Sequence, residues 1–365
     1  MIERSPFPYH GPLAAEEVSG RDELIADLRG RLESRRLTAL LGPRRYGKTS
    51  VLRRVCADLE ASGSTTVWVD LYGMSSMADL AGAIDRALGA VPGRVRGSLE
   101  SIAGTFSIQL GVVGIELAKG RRDRPDPVLL LRSLLQVLVE AASRHPLVLV
   151  LDEFSSIAGV SHAAAILRTE LQHHYRDLSI VFAGSQPSTM RALFTDQAQP
   201  FFAQADLVEI GPLSPGAVAD VVDAGFRATN RRADAIIGRL VAMAEGHPQR
   251  AMQLAHAVWE ATEPGGVATL VCWEQALATV RSEVGSGSDR LFELLPVGHR
   301  KTLRVVATGG SVFGAAAESL ELPSGTARAA VDALLGNGFL VRDERERLRI
   351  VDSMLADWIR RRFPV

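Results

Sequence analysis

Residues 37–61 read LTALLGPRRYGKTSVLRRVCADLEA, and three textures follow one another there. Leu37 to Leu41 is a short apolar run, of the kind that forms a buried strand. Thr49 to Ala61 carries apolar residues at helical spacing. Between them lie Gly42, Pro43, Arg44, Arg45, Tyr46, Gly47, Lys48, Thr49 and Ser50, which fit G-x-x-x-x-G-K-[ST] in the strand-to-helix context that this pattern requires. The glycines let backbone N–H groups curl around phosphate oxygens, and the following helix turns its positive end toward the same anion. Lys48 brings a compact charge to the β and γ phosphates, where an arginine fork would be bulkier and differently shaped. Thr49 offers a hydroxyl to Mg²⁺. Only three of the 41 basic residues are lysines (Lys48, Lys119, Lys301), so a lysine at this position is not background composition.

Working outward, LVLVLDEF at residues 147–154 is a strand apolar on both faces that ends in two carboxylates. The carboxyl ends of parallel strands are where open α/β sheets bind ligands. Asp152 would there hold Mg²⁺ and Glu153 would polarise the attacking water. Ser179 to Ala183 is another such strand, and Ser185 just beyond it could reach the γ-phosphate or the water. Further strands are expected at 65–71 and 207–210, with helices at 77–88, 128–143 and 163–174. Apolar strands alternating with helices indicate an α/β fold with a parallel sheet covered on both sides. Residues 91–127 interrupt the alternation. Phe106 to Leu110 and Gly114 to Leu117 alternate in period two, which predicts a hairpin-like insertion.

From Ser214 the texture becomes all-helical, opened by a Ser-Pro helix start. Gly285 to Ser288 reads as a flexible joint. Beyond it, helices at 289–295, 297–307, 313–320 and 324–335 precede two short strands, 339–342 and 348–351. Helices followed by a small hairpin describe a winged helix-turn-helix. The expected division is a nucleotide-binding unit over 1–213, a helical lid over 214–284 and a winged helix over 285–365.

Composition sets the outer limits. A chain of 365 residues with 47% hydrophobic content accommodates two or three packed units. A formal net charge of −1 gives no general attraction to polyanions. Cys56 and Cys272 fit no metal or redox spacing, and a reducing compartment is expected. No apolar signal segment opens the sequence. The greasiest stretch, 128–151, is broken by Arg132, Glu140, Arg144 and Pro146, so the expectation is a cytoplasmic protein with no membrane span.

In this order, SGRDEL at 19–24, GPRRYGKTS at 42–50, LVLVLDEF at 147–154, AGSQPSTMRALF at 183–194 and Gly246-His247-Pro248 resemble the P-loop ATPases of the AAA+/STAND-like group often called archaeal-type ATPases. The resemblance spans roughly residues 18 to 262 and is looser over the C-terminal module. It implies a five-stranded sheet in the order 5-1-4-3-2, ATP or ADP with Mg²⁺ as ligands, and slow or partner-stimulated hydrolysis. It also implies adenine contacts from Gly20 and Arg21, a sensor role for Ser185, and packing of Pro248 against the base or ribose. Related initiator-type ATPases carry an arginine sensor in the lid helix, where this chain has Arg250. No pattern identifies an arginine finger; Arg168, Arg176 and Arg191 are candidates.

The reading of function is a nucleotide-dependent switch whose C-terminal module couples nucleotide state to a protein partner or to self-oligomerisation. The alternatives are an initiator-like ATPase binding DNA through 285–365, and a non-catalytic scaffold that holds ADP or ATP. The presumed recognition helix, SGTARAAVDALL at 324–335, has one basic residue, Arg328, and no Asn, Gln or Lys to read base edges. The densest basic cluster of that module is Arg360 to Arg362.

Overall fold

The structure is a computed structural model and describes residues 4–111, 126–343 and 345–365. Five parallel strands, β1 (Thr38–Leu41), β2 (Thr65–Asp70), β3 (Leu147–Asp152), β4 (Leu178–Gly184) and β5 (Asp206–Glu209), lie side by side in the order β2-β3-β4-β1-β5. This is the 5-1-4-3-2 order expected. Every residue of β1, β3 and β4 is buried, which is why these strands read as unbroken apolar runs.

Alternate residues feed two cores. Val148, Val150, Val181 and Ala183 face α1 (Asp22–Glu33) and α2 (Lys48–Ala61). Leu149, Leu151, Ile180 and Phe182 face the other side, packed with α3 (Met77–Ala90), α4 (Gly93–Thr105), α5 (Pro127–Ala142), α6 (Ala163–Leu171) and α7 (Pro187–Thr195). Phe154, Phe182, Phe194 and Phe201 interlock in this second core, with ring centroids 4.6–6.1 Å apart.

The predicted insertion differs from the expectation. Residues 93–105 form α4, which buries Leu99, Ile102 and Ala103, and Phe106 caps its C-terminus. Residues 106–110 form no strand. Leu110 and Ile108 pack on the same core as α4, so burial rather than pairing accounts for their alternation. The second half of the predicted hairpin lies outside the described residues.

A third core unites α8 (Pro215–Ala228), α9 (Ile237–Ala244), α10 (Pro248–Glu260) and α11 (Leu270–Leu294). Ser214 accepts a hydrogen bond from Ala217 N at 3.1 Å, the cap that its Ser-Pro sequence predicts. The expected joint at 285–288 is instead the middle of α11, a continuous helix of 25 residues. Helical glycine is unfavourable by roughly 1 kcal/mol, so neighbours must compensate. Arg281 on one side of the glycines makes a bidentate ion pair with Asp357 at 2.9 and 3.0 Å. Phe292 on the other meets Trp358 at 5.4 Å.

The C-terminal unit contains α12 (Val297–Ala307), α13 (Ala315–Ser319), α14 (Ser324–Gly336), the antiparallel pair β6 (Leu340–Arg342) and β7 (Leu348–Ile350), and α15 (Ser353–Arg362). The last helix was not expected. Asp352 caps it, accepting from Met354 N and Leu355 N, and it buries Met354, Leu355, Trp358 and Ile359. The basic cluster at its end is partly committed: Arg361 pairs with Asp357 at 2.9 Å, and Arg360 donates to Ala307 O at 3.2 Å. No helix among the described residues is long and apolar enough to cross a membrane.

Candidate functional site

The loop joining β1 to α2 is shaped by its two glycines for different reasons. A Cβ on Gly42 would lie 2.3 Å from Ile210 Cγ2 and 2.8 Å from Ile210 O, so the end of β5 leaves no room for a side chain. Gly47 has φ +88° and immediately precedes α2, a left-handed conformation that side chains resist. Arg45, two residues earlier, also has positive φ, at 66°. The loop therefore doubles back before the helix begins, which turns successive N–H groups toward its concave side.

Lys48 is only 5% exposed, and its Nζ donates to Gly42 O and Pro43 O, each at 2.8 Å. Burial lowers its pKa to about 8. At the facing strand end, Thr49 Oγ1 donates to Asp152 Oδ2 at 3.0 Å, while Asp152 Oδ1 accepts Glu153 N at 3.0 Å. Burial raises the Asp152 pKa. Glu153 leaves the strand with φ +52°, which swings its side chain out of the β3 register. Ser185, beyond the adjacent strand β4, donates through Oγ to Glu153 Oε1 at 2.6 Å. The sheet thus brings Lys48, Thr49, Asp152, Glu153 and Ser185 to one edge, as their positions at strand ends anticipate.

A pocket of about 520 Å³ opens over this edge. Its phosphate-side wall includes Arg44, Arg45, Gly47, Lys48, Thr49, Ser50, Glu153 and Ser185. The opposite wall differs from the expectation. Pro248 lines it, together with Gln249 and Met252 of α10, but Gly20 and Arg21 do not. Arg21 donates to Gly211 O at 2.6 Å and Pro212 O at 3.4 Å, and a Cβ on Gly20 would lie 3.1 Å from Ala217 Cβ. These two residues tie α1 to the connection between β5 and α8.

The wall is completed by residues 8–13, which sequence reasoning missed. Phe7 is buried in the helical core, 5.5 Å from the Phe226 ring. The chain then crosses the pocket. Tyr9 O accepts from Gln249 Nε2 at 3.1 Å, and Leu13 N donates to Ser50 Oγ at 3.0 Å. An aromatic among Pro8, Gly11 and Pro12 has no periodicity to reveal it; only that composition marked an ordered, non-repetitive strap.

Tyr46 and Arg250 do not line the pocket. The Tyr46 ring is buried edge-on to His247 at 5.1 Å, its hydroxyl donates to Val351 O at 3.4 Å, and burial pushes its pKa up to about 12. Arg250 makes a bidentate ion pair with Asp352 at 2.9 and 2.6 Å. Of the arginine-finger candidates, Arg191 pairs with Glu209, and Arg168 has a buried Nε without a hydrogen-bond partner.

Residues 31–201 match a family model described as AAA domain. No curated protein matches the sequence. Among solved structures, a Walker-type ATPase of Pyrococcus abyssi is similar over 97% of this chain and 99% of its own, at 18% identity and a TM-score of 0.71. The ORC2 protein of Aeropyrum pernix, solved as ADPNP–ADP complexes, aligns over 100% of this chain and 99% of its own, at 14% identity and a TM-score of 0.59. The Aeropyrum pernix ORC1 protein, solved in complex with DNA, covers 94% of this chain and 93% of its own, at 13% identity and a TM-score of 0.51. With its strand order, its phosphate-type loop after β1 and its trailing helical region, this chain has the AAA+ P-loop fold.

Proposed function

We propose that the protein is an ATP-binding, ATP-hydrolysing switch of the AAA+/STAND type. The observation that carries this reading is the convergence of the Gly42–Ser50 loop, the Thr49–Asp152 hydrogen bond and the Ser185–Glu153 hydrogen bond on one pocket. The loop amides and Lys48 would receive the phosphates, and the nucleoside would lie against Pro248, Met252 and the 8–13 strap. The volume suits a nucleotide.

The donor set fits Mg²⁺. Thr49 and Asp152 offer hard oxygen ligands, and the described residues contain no cluster of three His, Cys, Asp or Glu side chains that would favour another metal. When bound, Mg²⁺ supplies charge neutralisation for the phosphates. Glu153 accepts the proton of the attacking water, and Ser185 orients that carboxylate.

Residues 285–365 we read as a winged helix that passes nucleotide state to a protein partner or a second copy. Initiator-like DNA binding draws support from the shared fold alone. The exposed residues of α14 are Ser324, Gly325, Thr326, Arg328, Ala329 and Asp332, a face that offers phosphate little net charge.

The test is ATP binding and hydrolysis with Mg²⁺ by wild type, Lys48→Ala and Glu153→Gln. Binding should disappear in Lys48→Ala, while Glu153→Gln should bind and not turn over. Absence of ATP binding by wild type would refute the reading. Binding with no turnover in wild type would favour the scaffold alternative.

A further inference from the structure

An arginine that answers the charge of a phosphate in the transition state has to lie within reach of the phosphates and be free of other partners. The arginines that sequence reading put forward for such work do not meet both conditions. Arg191 pairs with Glu209, Arg250 is taken by Asp352, and neither they nor Arg168 and Arg176 line the pocket. The guanidiniums that do line it are those of Arg44 and Arg45, both from the phosphate-type loop itself. Both residues are exposed. Neither side chain forms a hydrogen bond or an ion pair among the described residues.

The two point in different directions. Arg45 lies toward the lid, where its charge is felt at His247. Arg44 lies toward the strand ends that carry Asp152 and Glu153. Its guanidinium carbon stands 5.6 Å from the centroid of the Tyr72 ring, and its charge is felt at Lys48. Tyr72 is fixed just beyond the end of β2. The strand register pairs Asp70 with Asp152, Leu71 N donates to Asp152 O at 3.0 Å, and Tyr72 N donates to Asp70 Oδ1 at 2.9 Å. Tyr72 is 68% exposed, so the stack is a surface contact between a cation and an aromatic face. Such a contact is weak beside charge-assisted hydrogen bonds to phosphate. Rotation about the bonds of the arginine side chain is enough to exchange one for the other, with the loop backbone unmoved.

We propose that Arg44 is a catalytic arginine supplied by the chain itself, which rests on Tyr72 and turns onto the γ-phosphate of bound ATP. The proposal rests on the pocket being the ATP site and adds one residue to its chemistry. As the water oxygen bonds to the γ-phosphorus, the bond from phosphorus to the β–γ bridging oxygen breaks, and that oxygen keeps the electron pair. Glu153 takes the proton of the water, and the products are ADP and inorganic phosphate. The guanidinium fork of Arg44 donates to the γ-phosphate oxygens, over which charge is spread in a loose transition state. Lys48 brings a point charge to the same phosphates but no fork. One chain then carries the whole site, and hydrolysis needs no arginine from a second copy.

The test follows the release of a fluorescent N-methylanthraniloyl ADP from full-length wild type, Arg44→Ala and Arg44→Gln. It is run with Mg²⁺, in the absence and presence of aluminium fluoride, which mimics the phosphoryl group in transfer. Without fluoride the three proteins should bind the probe alike, because Arg44 acts on the γ position. With aluminium fluoride, release should slow by about 10²-fold or more in wild type, as a transition-state mimic requires. It should not slow in either variant. For ATP, kcat should drop about 10³-fold in both variants, and wild-type turnover per chain should be independent of protein concentration. Slowed release that survives in both variants overturns the proposal. Weakened ADP binding in both overturns it too, since Arg44 would then serve the β-phosphate. So does wild-type turnover per chain that rises with concentration, which would bring the arginine from a second copy. If Arg44→Ala does not fold, Arg44→Gln, closer in bulk and uncharged, decides alone. Wild type that binds the probe but neither responds to aluminium fluoride nor turns over ATP overturns Arg44 as a catalytic residue and leaves ATP binding standing. Wild type that does not bind the probe refutes the ATP-site reading itself.

Discussion

Replacing Lys48 by methionine should make the nucleotide-free protein more pH-independent in stability while abolishing ATP binding. Lys48 is buried, and its pKa falls from 10.5 in a free side chain to about 8. The unfolded chain therefore binds its proton more tightly than the folded one, and stability rises with pH through the interval between those values. At pH 7 both states are protonated and the full penalty applies, about 3 kcal/mol at 1.36 kcal/mol per pKa unit. At pH 9.5 the folded-state lysine is neutral and the penalty has shrunk to about 1.4 kcal/mol. Methionine has similar length and no charge, so it carries no such penalty. Its own loss is the two hydrogen bonds to Gly42 O and Pro43 O. That loss is a constant offset, whereas the lysine penalty titrates. Urea denaturation of both proteins at pH 7 and pH 9.5, without nucleotide, reads the difference. The stability of wild type relative to Lys48→Met should improve by about 2 kcal/mol over this range, with other titrations cancelling between the two proteins. A difference that stays flat within about 0.5 kcal/mol would refute the reasoning, since the ammonium would then be as well solvated as in the unfolded chain.

Other expectations can be checked alongside. Gly42→Ala forces a Cβ into Ile210, including its backbone oxygen, and should lower stability by about 1–3 kcal/mol in the same assay. Ser185→Ala removes the 2.6 Å hydrogen bond to Glu153; ATP affinity should change little while kcat drops about tenfold or more, as expected for losing a hydrogen bond to a charged group. His247 is 2% exposed and burial lowers its pKa to about 4, so its contribution is present above the unfolded value near 6.5 and is lost as pH falls toward 4. His247→Asn, which can still accept from Arg250 N, should therefore lose less stability than wild type on acidification from pH 6.5 to 4, measured by thermal unfolding.

The sheet was legible because its central strands are buried on both faces, so composition alone marks them, and each ends where a loop must turn. The phosphate-type loop was legible because glycine, lysine and threonine at fixed spacing are chemically demanded together. What escaped reading depended on tertiary contacts. Gly285 to Ser288 has the composition of a joint, yet Asp357 and Trp358 hold the helix straight through it from 70 residues farther on. Residues 106–110 alternate like a strand but have no strand beside them among the described residues. The Arg21 guanidinium is held by two backbone carbonyls, at 211 and 212, far along the chain. Proximity of that kind leaves no trace in local sequence.

Arg250 shows the same limit at the level of function. On α10, one position in either direction rotates a side chain by about 100 degrees. Gln249 therefore reaches the pocket strap, whereas Arg250 reaches Asp352. Whether an arginine beside a Gly-His-Pro turn serves the phosphate or the interface is decided by the helix phase relative to two partners, and both partners lie elsewhere in the chain. The phase observed has a further effect. Gln249 holds the N-terminal strap through Tyr9 O, and Arg250 holds the C-terminal unit, so adjacent residues of one helix tie both ends of the chain to the nucleotide site. Rotating or withdrawing α10 must strain both attachments together. Displacing α10 therefore bears on the strap, the pocket wall and the C-terminal unit at once.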